Sequence, residues 1–423
     1  MSSRRRRGSG ADPAAGADPV SSVDPARPRR RSRRASARRG RLRRVLGAVL
    51  CALAGIPAAL AIAPAAGQVP FALSVLLPTL APFLVPTALL GALLTLSGML
   101  AGRRPRAGAA ARIRDLSALA LAVLGAVVPG AAYGAVVVTA QRAGAAVDVI
   151  RTLAPRSMVA APDRTIPTRE DAHGRLQIWA PPGGAQDAPI LFDVHGGGWT
   201  TDAQMQATLR DLAQRGWLVV RPEYPLASPG HPTWQEAPRS LARSYAWVAR
   251  HAGTLGGDPR RISVFGDSAG GGLAVNLADR IAAGTLDGID DAAALPVPRA
   301  VVALYPTVDV AAVQRVRALG AGKAAEEFVG GTPEAHPERY RTLDACTWAA
   351  RSDPPTLIIR GGADTFVPPD SVRDFITAAR ARGAAVTDLR VPLADHAFDA
   401  QARDSAGYQL VTGAAARFLA EHG

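Results

Sequence analysis

Ser268 stands in the run Gly266-Asp267-Ser268-Ala269-Gly270, with Gly271 and Gly272 behind it and the β-branched and aromatic stretch Ile262 to Phe265 ahead. Glycine inside a strand or helix costs roughly 0.5–1 kcal/mol relative to alanine. Such a cluster therefore marks a tight turn or a close approach of backbones. A serine on a sharp strand-to-helix turn carries its hydroxyl above a sheet, where it can attack a carbonyl carbon. The helix that begins there points its free N–H groups and the positive end of its dipole at the charge that develops.

A second glycine motif, His195-Gly196-Gly197-Gly198-Trp199, closes an apolar strand 73 residues upstream of Ser268. The amides of Gly196 and Gly197, with that of Ala269, are candidate oxyanion donors. One such donor is worth about 2.7–4 kcal/mol of transition-state stabilisation. A serine also needs a base, and the base an orienting acid. Among seven histidines, His396 in PLADHAFD follows the last strand-like run, and His195 reads as a brace for its own glycine loop. His173, His231, His251, His336 and His422 have no strand-end setting. For the acid, Asp364 in IIRGGADTFVP follows an apolar strand, whereas Asp370 reads as a helix start. Asp395 and Asp399 are near His396 in sequence, but loop neighbours seldom face the imidazole. The order Ser268, Asp364, His396 is that of nucleophile, acid and base in α/β-hydrolases.

The elements around these residues alternate. RLQIWAP (175–181), PILFDVHGGG (189–198), WLVVRPEY (217–224), RISVF (261–265), AVVALYP (300–306), TLIIRGG (356–362) and AVTDLRVP (385–392) read as strands. Between or after them, residues 202–216, 234–251, 269–283, 370–382 and 405–421 read as helices. This pattern predicts an α/β fold with a mostly parallel sheet, helices on both faces, and the site beyond the carboxyl ends of the strands.

HGGGW, GDSAGG, GGADTFVPP and ADHAFD, in this order, resemble the α/β-hydrolase superfamily, above all hormone-sensitive-lipase-like and bacterial carboxylesterase-type esterases. The likeness covers roughly residues 160–423. It implies an α/β-hydrolase fold and a serine esterase, with Ser268 as nucleophile, Asp364 as acid, His396 as base, and Gly196, Gly197 and Ala269 as oxyanion donors. A small ester, of short acyl or acetyl type, would be the substrate, and no cofactor or metal is needed. The same triad also suits an amidase, an arylformamidase or an acyltransferase, and an inactive binding protein on this fold is a further alternative. EYPLASPGHPTW departs from the family's usual pattern for a loop that often borders the acyl pocket. The segments 142–165 and 307–345 are candidates for covering the site.

The N-terminal third has a different composition. Residues 1–44 hold 15 Arg and 3 Asp, and 102–114 hold five more Arg, so the net charge of +14 comes from this part of the chain. Residues 1–44 have too little apolar content to form a core and are expected to be disordered. From Val45 to Gly102 there is no charged residue or histidine over 58 positions, and Leu116–Gln141 is a second such run. These lengths predict three membrane spans, near 44–63, 78–101 and 116–141. A cleaved leader ending at Ala61-Ile62-Ala63 would leave two apolar runs unexplained. The expected organisation is a tail (1–44), a membrane region (45–141), a linker (142–161) and a catalytic domain (162–423). Both Arg-rich segments fall on one side after two crossings, so the positive-inside rule puts them in the cytoplasm and the catalytic domain outside the cell membrane. Membrane lipids are then the expected partner of the basic segments, and nucleic acid is not. Oligomeric state is not readable.

Overall fold

The structure is a computed structural model describing residues 27–101, 109–168, 174–202, 205–286, 289 and 292–423. Residues 1–26 of the tail, Arg103, Arg104, Arg106 and His173 lie outside the described residues. Three helices come first: α1 (Arg27–Leu60), α2 (Gln68–Ala101) and α3 (Ala109–Arg142). Each contains a stretch long and apolar enough to cross a membrane. They pack through small residues, as membrane helices do where apolar lipid offers no hydrophobic driving force. A Cβ on Gly91 would lie 2.9 Å from the Cys51 sulfur, and one on Gly125 would lie 2.8 Å from Ala54 Cβ. At one end of the bundle the buried Asp115 is held by Arg44 at 3.4 Å and Arg114 at 2.8 Å.

All three helices begin earlier than the expected spans, α3 at Ala109 rather than 116. α1 starts at Arg27, so residues 27–44 of the expected disordered tail are helical. Arginine and alanine are good helix formers, and extending a helix already nucleated by an apolar segment is cheap. α2 starts at Gln68 and runs through Pro78, Pro82 and Pro86. Prolines are tolerated there because packed neighbours accommodate the freed backbone groups.

After Arg142 the chain enters an eight-stranded sheet. The strands are β1 (Arg164–Pro167), β2 (Arg175–Trp179), β3 (Ala188–Val194), β4 (Leu218–Pro222), β5 (Gly257–Asp267), β6 (Val301–Leu304), β7 (Thr356–Gly361) and β8 (Val386–Val391). Their order is β1-β2-β4-β3-β5-β6-β7-β8. β1 and β2 are antiparallel to their neighbours, and every pairing from β4 to β8 is parallel. β1 was not expected from the sequence. It is a four-residue, largely exposed edge strand with no hydrophobic alternation.

The central parallel strands β4, β3, β5, β6 and β7 bury both faces over their apolar runs, and the edge strand β8 is partly exposed. Ile190, Phe192 and Val264 point into one core, beneath α5 (Glu236–Leu255), α6 (Ser268–Ala282) and α10 (Pro369–Ala381). Leu191, Val219 and Phe265 point into the other, beneath α4 (Gln206–Ala213) and α11 (Ala406–His422). Val136 and Ala140 of α3 belong to this second core. Between β6 and β7 the chain inserts the short helices α7 (Val310–Gln314), α8 (Ala321–Val329) and α9 (Pro337–Leu343).

The turn from β5 to α6 is the tightest junction. Ser268 has φ +53°, a left-handed conformation that a side-chain-bearing residue holds only when its surroundings impose it. A Cβ on Gly270 would overlap the carbonyls of Val194 and His195 at the end of β3. Gly270→Ala is therefore expected to destabilise the protein by about 1–3 kcal/mol, as overpacked sites do. Thermal unfolding of the detergent-solubilised full chain measures this, and an unchanged midpoint would mean that β3 and α6 are less closely apposed.

Candidate active site

The β5–α6 turn lifts Ser268 into the wall of a cavity of about 620 Å³. Asp364 follows β7 and His396 follows β8, so parallel strands deliver both to the same edge of the sheet as Ser268. Ser268 Oγ is 2.9 Å from His396 Nε2, and His396 Nδ1 is 2.9 Å from Asp364 Oδ2. Asp364 Oδ1 accepts the amides of Phe366 at 2.9 Å and Val367 at 2.8 Å. Those bonds fix the carboxylate and leave Oδ2 for the imidazole. Burial alone would lower the His396 pKa, but the Asp364 carboxylate, with Asp395 and Asp267, outweighs it and raises the value.

Asp395 does not meet the ring. Its Oδ1 accepts the Thr365 and His396 amides, each at 2.7 Å, and its Oδ2 accepts the Thr365 hydroxyl at 2.9 Å. It thus ties the loop bearing Asp364 to the loop bearing His396. A fourth donor comes from α2: the Ser74 hydroxyl reaches Asp395 Oδ2 at 2.5 Å. Phe71, one helical turn away, lies with its ring 5.0 Å from that of Phe366, and Phe366 stacks on His396 at 5.4 Å. Nothing in the sequence pattern pointed to Ser74 or Phe71. The Ser74–Asp395 contact joins positions 321 residues apart.

The three expected oxyanion donors are not equivalent. The Gly196 amide donates to Asp267 Oδ1 at 3.0 Å, so it is already engaged. Its glycine is needed because a Cβ there would run into the Asp267 carboxylate. Gly197 and Gly198 line the cavity beside Ser268. Ala269 lies in the first turn of α6, where helix N–H groups have no intrahelical partner. The sequence places Asp267 just before the serine, but not the direction in which its side chain turns.

His195 is buried and braces its loop. Its Nδ1 meets the Gly196 carbonyl at 2.8 Å, and its ring stacks on Tyr224 at 4.2 Å. The Tyr224 hydroxyl donates to the His195 carbonyl at 2.8 Å. Burial, aided by Arg221, lowers the His195 pKa to about 4, which leaves it neutral. Burial likewise raises Asp193 to about 7 and Asp267 to about 6, against the opposing pull of Arg221.

Of the two candidate covers, 307–345 reaches the cavity. Leu319, Gly320, Ala321, Lys323, Ala324 and Glu327 form part of its wall, and Phe328 of α8 stacks on Trp199 at 4.6 Å. The segment 142–165 is absent from the wall and packs along α4 and α11 instead. Among the described residues there is no cluster of three or more metal-ligating side chains.

The family model BD-FAE matches residues 176–378. Two relatives from Mycobacterium tuberculosis are each 30% identical: a probable carboxylic ester hydrolase, LipM, over 55% of this chain and 54% of its own length, and the esterase LipC over 50% and 53%. The chain thus spans about half the length of these relatives. Among solved structures, esterase 2 of Thermogutta terrifontis, phosphonylated by sarin, superposes with a TM-score of 0.52 at 21% identity, covering 63% of this chain and 96% of that one. A truncated carbohydrate esterase from gut microbiota gives a TM-score of 0.52 at 17% identity, covering 63% and 98%. Fold and sequence together show an α/β-hydrolase fold for the C-terminal part of the chain, which is similar to bacterial carboxylic ester hydrolases.

Proposed function

We propose that the protein is a membrane-anchored serine esterase that hydrolyses small carboxylic esters through Ser268, His396 and Asp364. The observation that carries this reading is the unbroken hydrogen-bonded chain from Ser268 through His396 to Asp364 at a cavity wall. The ester-hydrolase names of the relatives favour ester over amide cleavage or acyl transfer. The intact chain of hydrogen bonds favours catalysis over a binding role.

His396 Nε2 takes the Ser268 proton as Oγ attacks the ester carbonyl carbon. Asp364 accepts from Nδ1–H, which fixes the tautomer and stabilises the imidazolium. The amides of Gly197 and Ala269, with Gly198 beside them, hold the oxyanion, while Gly196 positions the loop through Asp267. The carbonyl re-forms, the C–O bond to the alcohol breaks, and His396 returns the proton to the departing oxygen. Water, deprotonated by His396, then cleaves the acyl-enzyme and restores Ser268.

In the same reading the chain divides into an Arg-rich segment, a membrane region to about residue 141, a short linker and a catalytic domain from about 162. The basic segments face the cytoplasm beside anionic lipid headgroups, and the catalytic domain lies outside.

Full-length protein is expected to hydrolyse p-nitrophenyl esters from acetate to decanoate with a short-chain optimum, and Ser268→Ala to lose about 10³-fold or more in kcat/KM. Equal rates in both would remove Ser268 as nucleophile. The resting base must be neutral, and its raised pKa increases the protonated fraction at any given pH. The acid limb of kcat/KM should therefore have its midpoint above the 6.5 of an unperturbed imidazole. A midpoint below that value would contradict the Asp364–His396 coupling. Asp267→Ala strands the buried Gly196 amide and should cost about 1–3 kcal/mol of stability. Asp267→Asn, which keeps an acceptor, should retain most of that stability in the same unfolding measurement.

A further inference from the structure

The helical bundle sets the depth of the site. Gly98 of α2 packs directly on Arg44 of α1, and Arg44 pairs with Asp115 of α3. These three positions share one level, and they mark one edge of the apolar slab because Arg44 is the last charge before Val45. A hydrocarbon core of about 30 Å takes about 20 helical residues at 1.5 Å each. Counting from Gly98 along α2 brings the opposite edge to Pro78. From Arg44 the helical part of α1 rises about 24 Å to Leu60, and the chain then makes the short helical turn Pro64–Ala66 before α2. Ser74 is then about 6 Å beyond the hydrocarbon edge, inside a headgroup layer about 5–8 Å thick.

The active-site loops touch the bundle at this level and just outside it. Ser74 bonds Asp395, the neighbour of His396, and Phe71 packs on Phe366 of the cavity wall. On another side of the cavity, the Pro64–Ala66 turn lies beside Ala318–Gly320, whose Leu319 and Gly320 line the wall. Ile62, Val69 and Leu393 around this junction are exposed. An amphiphile in the leaflet has its apolar tail in the slab and its polar linkages in the headgroup layer.

We infer that the substrate is an ester borne by an amphiphile resident in the leaflet on the catalytic side, entering the cavity laterally at headgroup level past the outer end of the α1–α2 hairpin. This rests on the esterase reading above and assigns that site a substrate class. Water-soluble esters would reach the same serine only by leaving bulk solution for the interface.

The full chain in phosphatidylcholine nanodiscs tests it with two acetyl esters that differ only in their anchor: 1,2-di-O-hexadecyl-3-acetylglycerol and 1,2-di-O-methyl-3-acetylglycerol. Acetate release from the dihexadecyl ester is expected to be at least tenfold faster at equal bulk concentration, to fall as added phosphatidylcholine dilutes it in the bilayer, and to vanish in Ser268→Ala. Equal or faster release from the dimethyl ester would overturn the inference, as would turnover of p-nitrophenyl acetate by Ser268 with none of the dihexadecyl ester. No Ser268-dependent turnover of any of the three would overturn the esterase reading itself. Depth is measured independently of turnover with a fluorophore on Leu393→Cys in a Cys346→Ser background, since the remaining Cys51 is buried. Quenching by nitroxide lipids labelled near the headgroup, exceeding that by aqueous iodide, is expected. The opposite ranking would place the loop clear of the membrane and overturn the assignment.

Discussion

Helix α6 begins where β3 ends, and no side chain fits between them. Gly270 faces the carbonyls of Val194 and His195, so the first turn of α6 presses against the start of the HGGG loop. This one close approach forces Ser268 into its left-handed conformation and brings the Gly197–Gly198 backbone to the same side of the cavity. The strain at Ser268 is held by the parallel pairing of β5 with β3 and β6, which leaves the turn no freedom to relax. Catalytic geometry is thus a property of the sheet, which fixes where each loop starts.

Beneath the glycine loop lies a buried polar layer. Arg221 of β4 sits between Asp193 and Asp202, and Asp267 and His195 complete the group. Burying so many ionisable side chains is costly unless their charges compensate. Here the Arg221 guanidinium opposes, without cancelling, the upward shift that burial imposes on Asp193 and Asp267, and His195 stays neutral. The layer holds the loop from below, while Trp199 on Phe328 holds it from above.

Ser268, Asp364 and His396 were legible because each follows an apolar strand, and strand ends of a parallel sheet converge. The order of the elements was legible for the same reason. The engagement of Gly196 was not, because it depends on where the Asp267 side chain turns. Ser74 and Phe71 were beyond reach: they sit in an apolar run where composition signals only membrane, and their partners come from the other end of the chain. The start of α1 at Arg27 was missed because poor core-forming composition was equated with lack of order.

The last turns of α3 belong to the same core as α11, with Val136 and Ala140 packed among residues of the sheet's second face. The bundle is therefore joined to the sheet without a leash. Turning the three helices about their common axis turns the sheet and Ser268 with them. Helix α11 completes a layer begun by α3. Synthesis must reach α11 before that layer closes, and until then α3 presents a bare apolar flank.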